Sequence, residues 1–162
     1  MADLLNAAAS AAPADVLGRD LRALYRVTDG RHEDVDLSTA TAVVRGSVLS
    51  DLVASAAVDT AVQAVVHRIK TVKGELADLG HPDYGSRHHE LVGQPNTVRN
   101  RNLVKLYILQ ALASEPRIRK VLAASVDPDP QRDRVTISLT LAFIGAAVPL
   151  DLVVPFSFGG PS

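Results

Sequence analysis

Residues 134–158 read RVTISLTLAFIGAAVPLDLVVPFSF, and they carry the strongest structural pattern of the chain. Hydrophobic residues occupy alternate positions over 135–143 and again over 148–158. Because successive side chains of a strand point to opposite faces, each run predicts a β-strand with one buried face. The Gly-Ala-Ala segment at 145–147 lies between the runs and predicts a turn, so the two strands should form a hairpin.

The first of two predicted helices covers about residues 56–70. Its apolar residues recur at steps of three and four, the period of one helix face, and they are Val58, Val62, Val65, Val66 and Ile69. Gly74 predicts the end of this helix. The region 75–93 is rich in Gly and Pro and should be mostly loop, with one short helix near 86–92.

A second helix is predicted from a cap at Asn96 or Thr97 to about Ser114, because Pro116 drives Glu115 away from helical geometry. Its buried residues should be Leu103, Leu106, Tyr107 and Leu109. A strand at 119–126 and a turn at 127–131 should precede the hairpin. Helices first and antiparallel strands last predict an α+β fold, with amphipathic helices packed on a small antiparallel sheet that ends in the C-terminal hairpin.

The N-terminal quarter of the chain has a different character. Residues 1–39 offer little continuous apolar surface, so we expect a weakly ordered or partner-ordered arm with a short helix near 16–25. Residues 40–162 should form a single α+β domain that opens with a short strand at 41–45.

The composition excludes several functional classes. The chain has no Cys, which excludes disulfides, thiolate zinc sites and cysteine nucleophiles. Lys and Arg total 17 against 18 acidic residues, and aromatics are 4%, so we expect no nucleic-acid partner. No apolar run approaches the roughly 18 residues of a membrane helix. The Ala-rich start has no basic region, so the chain should stay in the cytoplasm.

The sequence shows no catalytic or metal-binding constellation. Adjacent histidines on a helix point about 100° apart and cannot easily share one ion, so we expect a surface or partly packed cluster of His81, His88 and His89 beside Asp83 and Glu90. The spacing of the carboxylates identifies no glycosidase acid and nucleophile. We therefore expect no catalytic residues, no metal and no cofactor.

Two prolines mark one edge of the last strand. Pro149 and Pro155 are both odd-numbered, so they lie on the same edge and neither can donate a ladder hydrogen bond. This strand should therefore be outermost in its sheet, with only Asp151 and Val153 aiming N–H groups outward between the prolines. Two interpretations stay open: the prolines prevent aggregation, or this edge pairs with a strand of another chain.

Three short motifs connect the predicted elements. Residues 71–75 read TVKGE after the first helix, 82–86 read PDYGS, and 115–117 read EPR at the corner between the second helix and the sheet. Gly85 is suited to a positive φ, and Ser86 can cap the following helix.

In this order and spacing the motifs resemble the GPW-type baseplate wedge family of contractile tails. Its members are often called tail lysozyme-like, and they act as sheath initiators in phage tails, tailocins and contractile injection systems. The resemblance extends over about residues 58–158. The chain departs from the pattern at His88, where a Leu commonly follows the Tyr-Gly-Ser-Arg loop.

The resemblance implies a structural baseplate component that links tube and wedge and initiates sheath assembly by strand pairing. Its partners would be the sheath, inner tube and wedge proteins, with multiple copies around the tube. It would assemble in the bacterial cytoplasm and become part of the particle. The implied partner-binding residues are Glu115, Pro116, Arg117, Pro149, Asp151, Val153 and Pro155; the structural motif residues are Thr71, Gly74, Glu75, Asp83, Tyr84, Gly85 and Ser86. The alternative is a lysozyme-like, peptidoglycan-degrading glycosidase, but without a catalytic constellation we expect no enzyme.

Overall fold

The computed structural model describes residues 17–28, 31–130 and 133–159. These residues form two helices, α1 (Val58–Lys70) and α2 (Val98–Ala113), and two short 3-10 helices at Ala77–Leu79 and His88–Leu91. The strands are β1 (Arg19–Leu21), β2 (Ala23–Thr28), β3 (Arg31–Leu37), β4 (Thr39–Val44), β5 (Ser47–Leu52), β6 (Ala54–Ala56), β7 (Ile118–Pro128), β8 (Arg134–Phe143) and β9 (Leu150–Ser157). This architecture confirms the predicted α+β class.

The C-terminal sheet carries the core. Its three strands are antiparallel in the order β7-β8-β9, so β8 is central. The alternating residues of β8 are all buried, as the sequence pattern predicts, and they are Val135, Ile137, Leu139, Leu141 and Phe143. The second predicted strand begins at Leu150 instead of Val148. The ladder with β8 ends at the pair of Leu141 and Leu150, so Val148 lies outside the sheet and is 65% exposed.

Both helices contribute apolar residues to the same core as β8. In α1 the buried apolar residues include Val65, Val66 and Ile69, which agrees with the predicted face. Neither helix in the described part of the chain has the length and apolar character needed to cross a membrane.

The buried face of α2 differs from the prediction. Thr97 caps the helix by accepting a hydrogen bond from the Asn100 backbone N–H at 3.2 Å, as expected. The core-facing stripe is Val104, Ile108, Ala111 and Leu112. Leu106, which was predicted to be buried, is 46% exposed. Residues four apart share a helix face, so residues 104, 108 and 112 form the face that packs on the core. Of the residues predicted to be buried, Leu103, Tyr107 and Leu109 are half-buried beside this face and Leu106 is exposed.

The segment after α1 corrects a second prediction. The helix ends at Lys70 and not at Gly74, because Thr71 is already extended with φ −75° and ψ 134°. The chain then forms a parallel bridge between Val72 and Ser86. The tertiary pairing therefore ends the helix before the glycine is reached.

The N-terminal region contains strands where a short helix was predicted. Residues 19–21 pair with 54–56, and β2 pairs with β3, both antiparallel. The helix prediction is wrong over 19–25, because pairing with distant residues outweighs weak local preference. Residues 1–16 lie outside the described residues. The strand predicted at 41–45 is confirmed as β4, and the boundary at residue 39 stays a prediction.

Three two-stranded ribbons meet at a cyclic junction in this region. Arg22 donates its backbone N–H to the Val53 oxygen at 2.7 Å, Val53 donates to Ser38 at 2.9 Å, and Ser38 donates to Arg22 at 2.8 Å. The ribbons are β1–β6, β2–β3 and β4–β5. Each ladder therefore ends at the junction with its backbone groups satisfied.

The junction is fastened to the body by Gln63 of α1. The buried Gln63 side chain accepts the Ala23 backbone N–H at 2.9 Å and donates to the Leu21 oxygen at 2.7 Å. β3 also lies near β9, although no ladder joins the two strands.

Candidate functional site

A buried ion pair joins the two helices at their C-terminal ends. The Glu115 carboxylate, with a side chain 5% exposed, receives Nη2 of Arg68 at 3.1 Å and Nε at 3.2 Å. Nη1 of Arg68 donates to the Ser114 hydroxyl at 3.0 Å. The guanidinium also lies 4.4 Å from the centre of the Tyr84 ring, a cation–π contact. Tyr84 belongs to the second motif and Glu115 to the third, so this arginine links them.

The local sequence explains the position of Glu115. Helix α2 ends at Ala113, and the Glu115 backbone N–H donates to the Leu112 oxygen at 3.0 Å. Pro116 then prevents further helix. The second carboxylate oxygen accepts the Arg117 backbone N–H at 3.3 Å, and Nε of Arg117 lies 3.9 Å from it. Within the tripeptide, the Glu115 carboxylate is therefore contacted by both the backbone N–H and the side chain of Arg117.

The first two motifs lie side by side as extended segments. Ser86 donates its backbone N–H to the Thr71 oxygen at 2.9 Å, and Lys73 donates to the Ser86 oxygen at 3.1 Å. Glu75 closes the first segment by accepting the Val72 backbone N–H at 3.1 Å. The parallel bridge thus fixes the distance between the two motifs.

Gly85 is required by this close approach. Its φ is +98°, and a β-carbon placed there would lie 2.6 Å from the Thr71 oxygen and 2.8 Å from the Val72 carbonyl. Both a left-handed conformation and a backbone contact therefore exclude a side chain. The tight loop predicted from the sequence has this physical cause.

A cleft of about 320 Å³ lies between these motifs and α2. Its lining residues are Lys73, Asp83, Gly85, Arg87, Tyr107, Gln110, Ala111 and Ser114. Lys73 and Asp83 form an exposed ion pair at 3.2 Å, and the Arg87 guanidinium lies 4.9 Å from the centre of the Tyr107 ring. Among these lining residues, Asp83 is the one carboxylate.

His88 is enclosed on one side of the 3-10 helix. It is 3% exposed, and Nδ1 lies 2.9 Å from the buried Ser86 hydroxyl. The Phe156 ring meets it edge-on with centroids 4.9 Å apart, and the His89 ring lies at 4.1 Å. Burial, and secondarily the neighbouring His89, lowers the pKa of His88 to about 3. Nε2 of His89 faces the Ile69 backbone oxygen at 3.3 Å, so the cluster is partly packed. In the described part of the chain, no three His, Asp or Glu residues are grouped closely enough to hold a metal ion.

The predicted partner residues of the last strand lie at the sheet edge. Asp151 is exposed and pairs across the ladder with Thr140, whose hydroxyl donates to it at 2.7 Å. Val153 is 57% exposed and lies opposite Ser138. Pro155 lies opposite Thr136, and Pro149 is exposed just before β9. Asp151, Val153 and Pro155 therefore lie in β9, the strand that is outermost in its sheet, and Pro149 directly precedes it.

Glu115 differs from these residues because its carboxylate faces inward. Its position gives it an intramolecular role, while Pro116 is exposed and the Arg117 side chain is 34% exposed. The predicted partner contact therefore stays a prediction for Pro116 and Arg117. Arg68 is the residue that sequence reasoning missed. It follows Val65 by three positions, on the apolar face of α1, and an arginine there signals a buried acidic partner.

Comparison with known proteins gives a distant likeness to a solved structure. No family model matches the chain, and no curated protein matches it. Among solved structures, a crystal structure of a "putative tail lysozyme" from Geobacter sulfurreducens is 22% identical to the chain. The match covers 59% of this chain and 85% of that protein, with a TM-score of 0.49.

Proposed function

We propose that the chain is a structural baseplate component of a contractile tail or injection system, which links tube and wedge and initiates sheath assembly by strand pairing. The observation that carries this proposal is the convergence of the three motifs. They are separated in sequence, but the bridge between Val72 and Ser86 joins the first motif to the second, and Arg68 joins Tyr84 of the second to Glu115 of the third. The motifs whose order resembles the wedge family thus form a single structural unit in this chain.

The exposed edge of β9 supports the strand-pairing part of the proposal. Its outward positions carry the two prolines with Asp151 and Val153 between them, and Val153 is more than half exposed. A strand added there receives few hydrogen bonds, because proline has no N–H. A terminal strand exchanged by a sheath subunit would therefore pair mainly over this short window. Assembly would take place in the bacterial cytoplasm, before the protein becomes part of the particle.

The chemistry of the cleft favours a non-enzymatic role over the glycosidase alternative. A glycosidase needs two carboxylates about 5–9.5 Å apart that flank the scissile bond. The carboxylate that lines this cleft, Asp83, forms an ion pair with Lys73. Glu115 does not line the cleft, and its buried carboxylate is paired with Arg68. Purified protein should therefore release no soluble fragments from bacterial peptidoglycan. Turnover above that of a heat-denatured sample would contradict this part of the proposal.

The strand-pairing proposal is tested by changing Val153→Pro in the producing cell and imaging the particles. Deleting β9 would be a poor test, because the strand pairs with β8 along its length and contributes Val154 to the core, so its loss would destabilise the domain as well as remove the edge. Val153 shares the outward edge with Pro155, so the substitution removes an N–H that the ladder to β8 does not use. We expect tubes with baseplates but without sheath.

Val153→Thr is the matched control, because it keeps the N–H and the branched shape. Its particles should have normal sheaths. Both purified variants should melt within a few degrees of the wild type. Normal sheath length in the proline variant would contradict strand pairing at β9.

A further inference from the structure

The β4–β5 hairpin stands out of the body with both faces uncovered. Every residue of both strands is exposed. Val43 and Val48 face each other across the ladder and are 72% and 70% exposed, and Leu49, on the opposite face, is 53% exposed. An isolated two-stranded hairpin is at best marginally stable in water. These apolar residues therefore indicate a surface that another protein covers.

The shape of this hairpin is fixed before any partner arrives. Its tip is a two-residue turn in which Arg45 and Gly46 have φ of 51° and 81°. Positive values at both positions match the right-handed twist of the strands. At its base the hairpin joins the cyclic junction, which Gln63 fastens to α1. The hairpin is thus a formed element that offers a strand edge for pairing.

The same chain carries a second uncovered edge at β7. In the described part of the chain, β7 pairs with β8 on one side and with no strand on the other. Arg119 and Lys120 are exposed near its start, and Leu122 is 47% exposed near its middle. This strand contains no internal proline that would block a ladder.

The charges on the two edges are complementary along their length. The hairpin carries a basic Arg45 at its tip and an acidic Asp51 at the other end, six residues apart (51 − 45). Strand β7 carries Lys120 at its start and Asp127 near its end, seven residues apart (127 − 120). If β5 runs antiparallel to β7 with Asp51 opposite Lys120, Leu49 lies opposite Leu122, and Arg45 in the turn lies opposite Val126, one position from Asp127. The strand β4 could match these charges only by running parallel in a sheet that is otherwise antiparallel.

We propose that the β5 edge of one copy of this chain adds antiparallel to the β7 edge of a second copy. The extended sheet then has the order β4-β5-β7-β8-β9, with its first two strands from the neighbour. The donating and receiving surfaces differ, so successive copies form a ring or an open chain. A six-residue strand is about 20 Å long, which is a small interface, so the association is weak and needs high protein concentration. This inference is independent of the proposed function.

Sedimentation equilibrium of the purified full chain tests the proposal. Over roughly 10–500 μM, the wild type should show a mass that rises with concentration, as expected for weak interfaces. Asp51→Lys and Lys120→Asp should each weaken association about tenfold or more, because each places like charges opposite each other. The chain with both substitutions should regain the wild-type association. Asp78→Lys, an exposed acid outside both edges, is the control and should associate normally.

Cysteine cross-linking tests which edges meet. The natural chain has no Cys, so introduced thiols report on one contact. An equimolar mixture of Leu49→Cys and Leu122→Cys chains should form the mixed disulfide faster than either chain alone forms a homodimer. A wild type that stays monomeric throughout, a charge exchange that fails to restore association, or a dominant disulfide homodimer of the Leu49→Cys chain would each overturn the proposal. All substituted side chains are exposed, and a thermal melt verifies the fold of each variant.

Discussion

Replacing His88 by Leu should make the fold less sensitive to acid. His88 is buried against Phe156, where an imidazolium would lose its hydration, and this burial lowers its pKa to about 3 from an ordinary value of 6.5. The folded pKa lies below the unfolded pKa, so the stabilising contribution is fully present above about pH 6.5. It is lost progressively as the pH falls towards 3, because the unfolded chain takes up the proton first.

The magnitude follows from the two pKa values. At about pH 5 the unfolded histidine is almost fully protonated and the folded one is almost fully neutral, which lowers the free energy of unfolding by about 2 kcal/mol relative to pH 8. Near neutral pH the substitution should change stability little. The leucine gains apolar contact with Phe156, but the Ser86 hydroxyl loses its partner on the imidazole, a hydrogen bond of about 1 kcal/mol.

Urea unfolding of the wild type and the His88→Leu variant, at intervals from pH 8 to pH 5, gives the required difference. The unfolding free energy of the variant minus that of the wild type should rise by about 2 kcal/mol between pH 8 and pH 5. Taking the difference cancels titration elsewhere, including that of the partly buried His67, whose pKa is also lowered, chiefly by burial. His81→Leu, in an exposed loop, is the control. If the His88 variant shows no larger shift than this control, the buried neutral histidine is refuted.

Three further substitutions test the motif region and the arm. Gly85→Ala should lower the free energy of unfolding by about 3 kcal/mol or more. Gly80→Ala, at a residue with positive φ but open space around it, should lower it by about 1 kcal/mol. Equal denaturation midpoints for the two variants would show that the contact between the new β-carbon and the Thr71 oxygen costs little. Glu115→Ala leaves a buried guanidinium unpaired and should cost about 3–5 kcal/mol, while Arg117→Ala should cost less than about 1 kcal/mol; similar melting temperatures for the two variants would contradict the buried pair. Gln63→Ala should increase amide exchange at the first residue of β2 with the core amides of β8 unchanged, and simultaneous loss of protection in both places would show that the arm and the body unfold together.

The sequence predicted the C-terminal sheet and the positions of both helices because each carries a strong period. The alternation over 135–143 has one solution, since a shift of one residue would expose every apolar side chain. The sequence does not determine which face of α2 is buried, because this helix has apolar residues on more than one side. Leu106 and Ile108 both fit a helical pattern locally, and only the packing against the sheet selects Ile108.

The N-terminal strands and the Arg68–Glu115 pair depend on contacts between distant residues. Strand β1 pairs with β6, more than thirty positions away, for example Leu21 with Ala54, and nothing in its own three residues fixes that choice. The three motifs could be found in the sequence, but the arginine that joins the second to the third lies outside all of them. Its position on an apolar helix face was a readable signal for a buried partner, although not for which carboxylate it would meet.

The cyclic junction of Arg22, Ser38 and Val53 also makes the length of the β4–β5 ribbon independent of the body. Residues inserted as a cross-strand pair near the tip of the β4–β5 ribbon would lengthen it by about 3.3 Å per pair. The three junction hydrogen bonds and the core would not change. Evolution, or a protein engineer, can therefore change the length of this ribbon or the sequence of its tip without altering the folding of the domain that carries it.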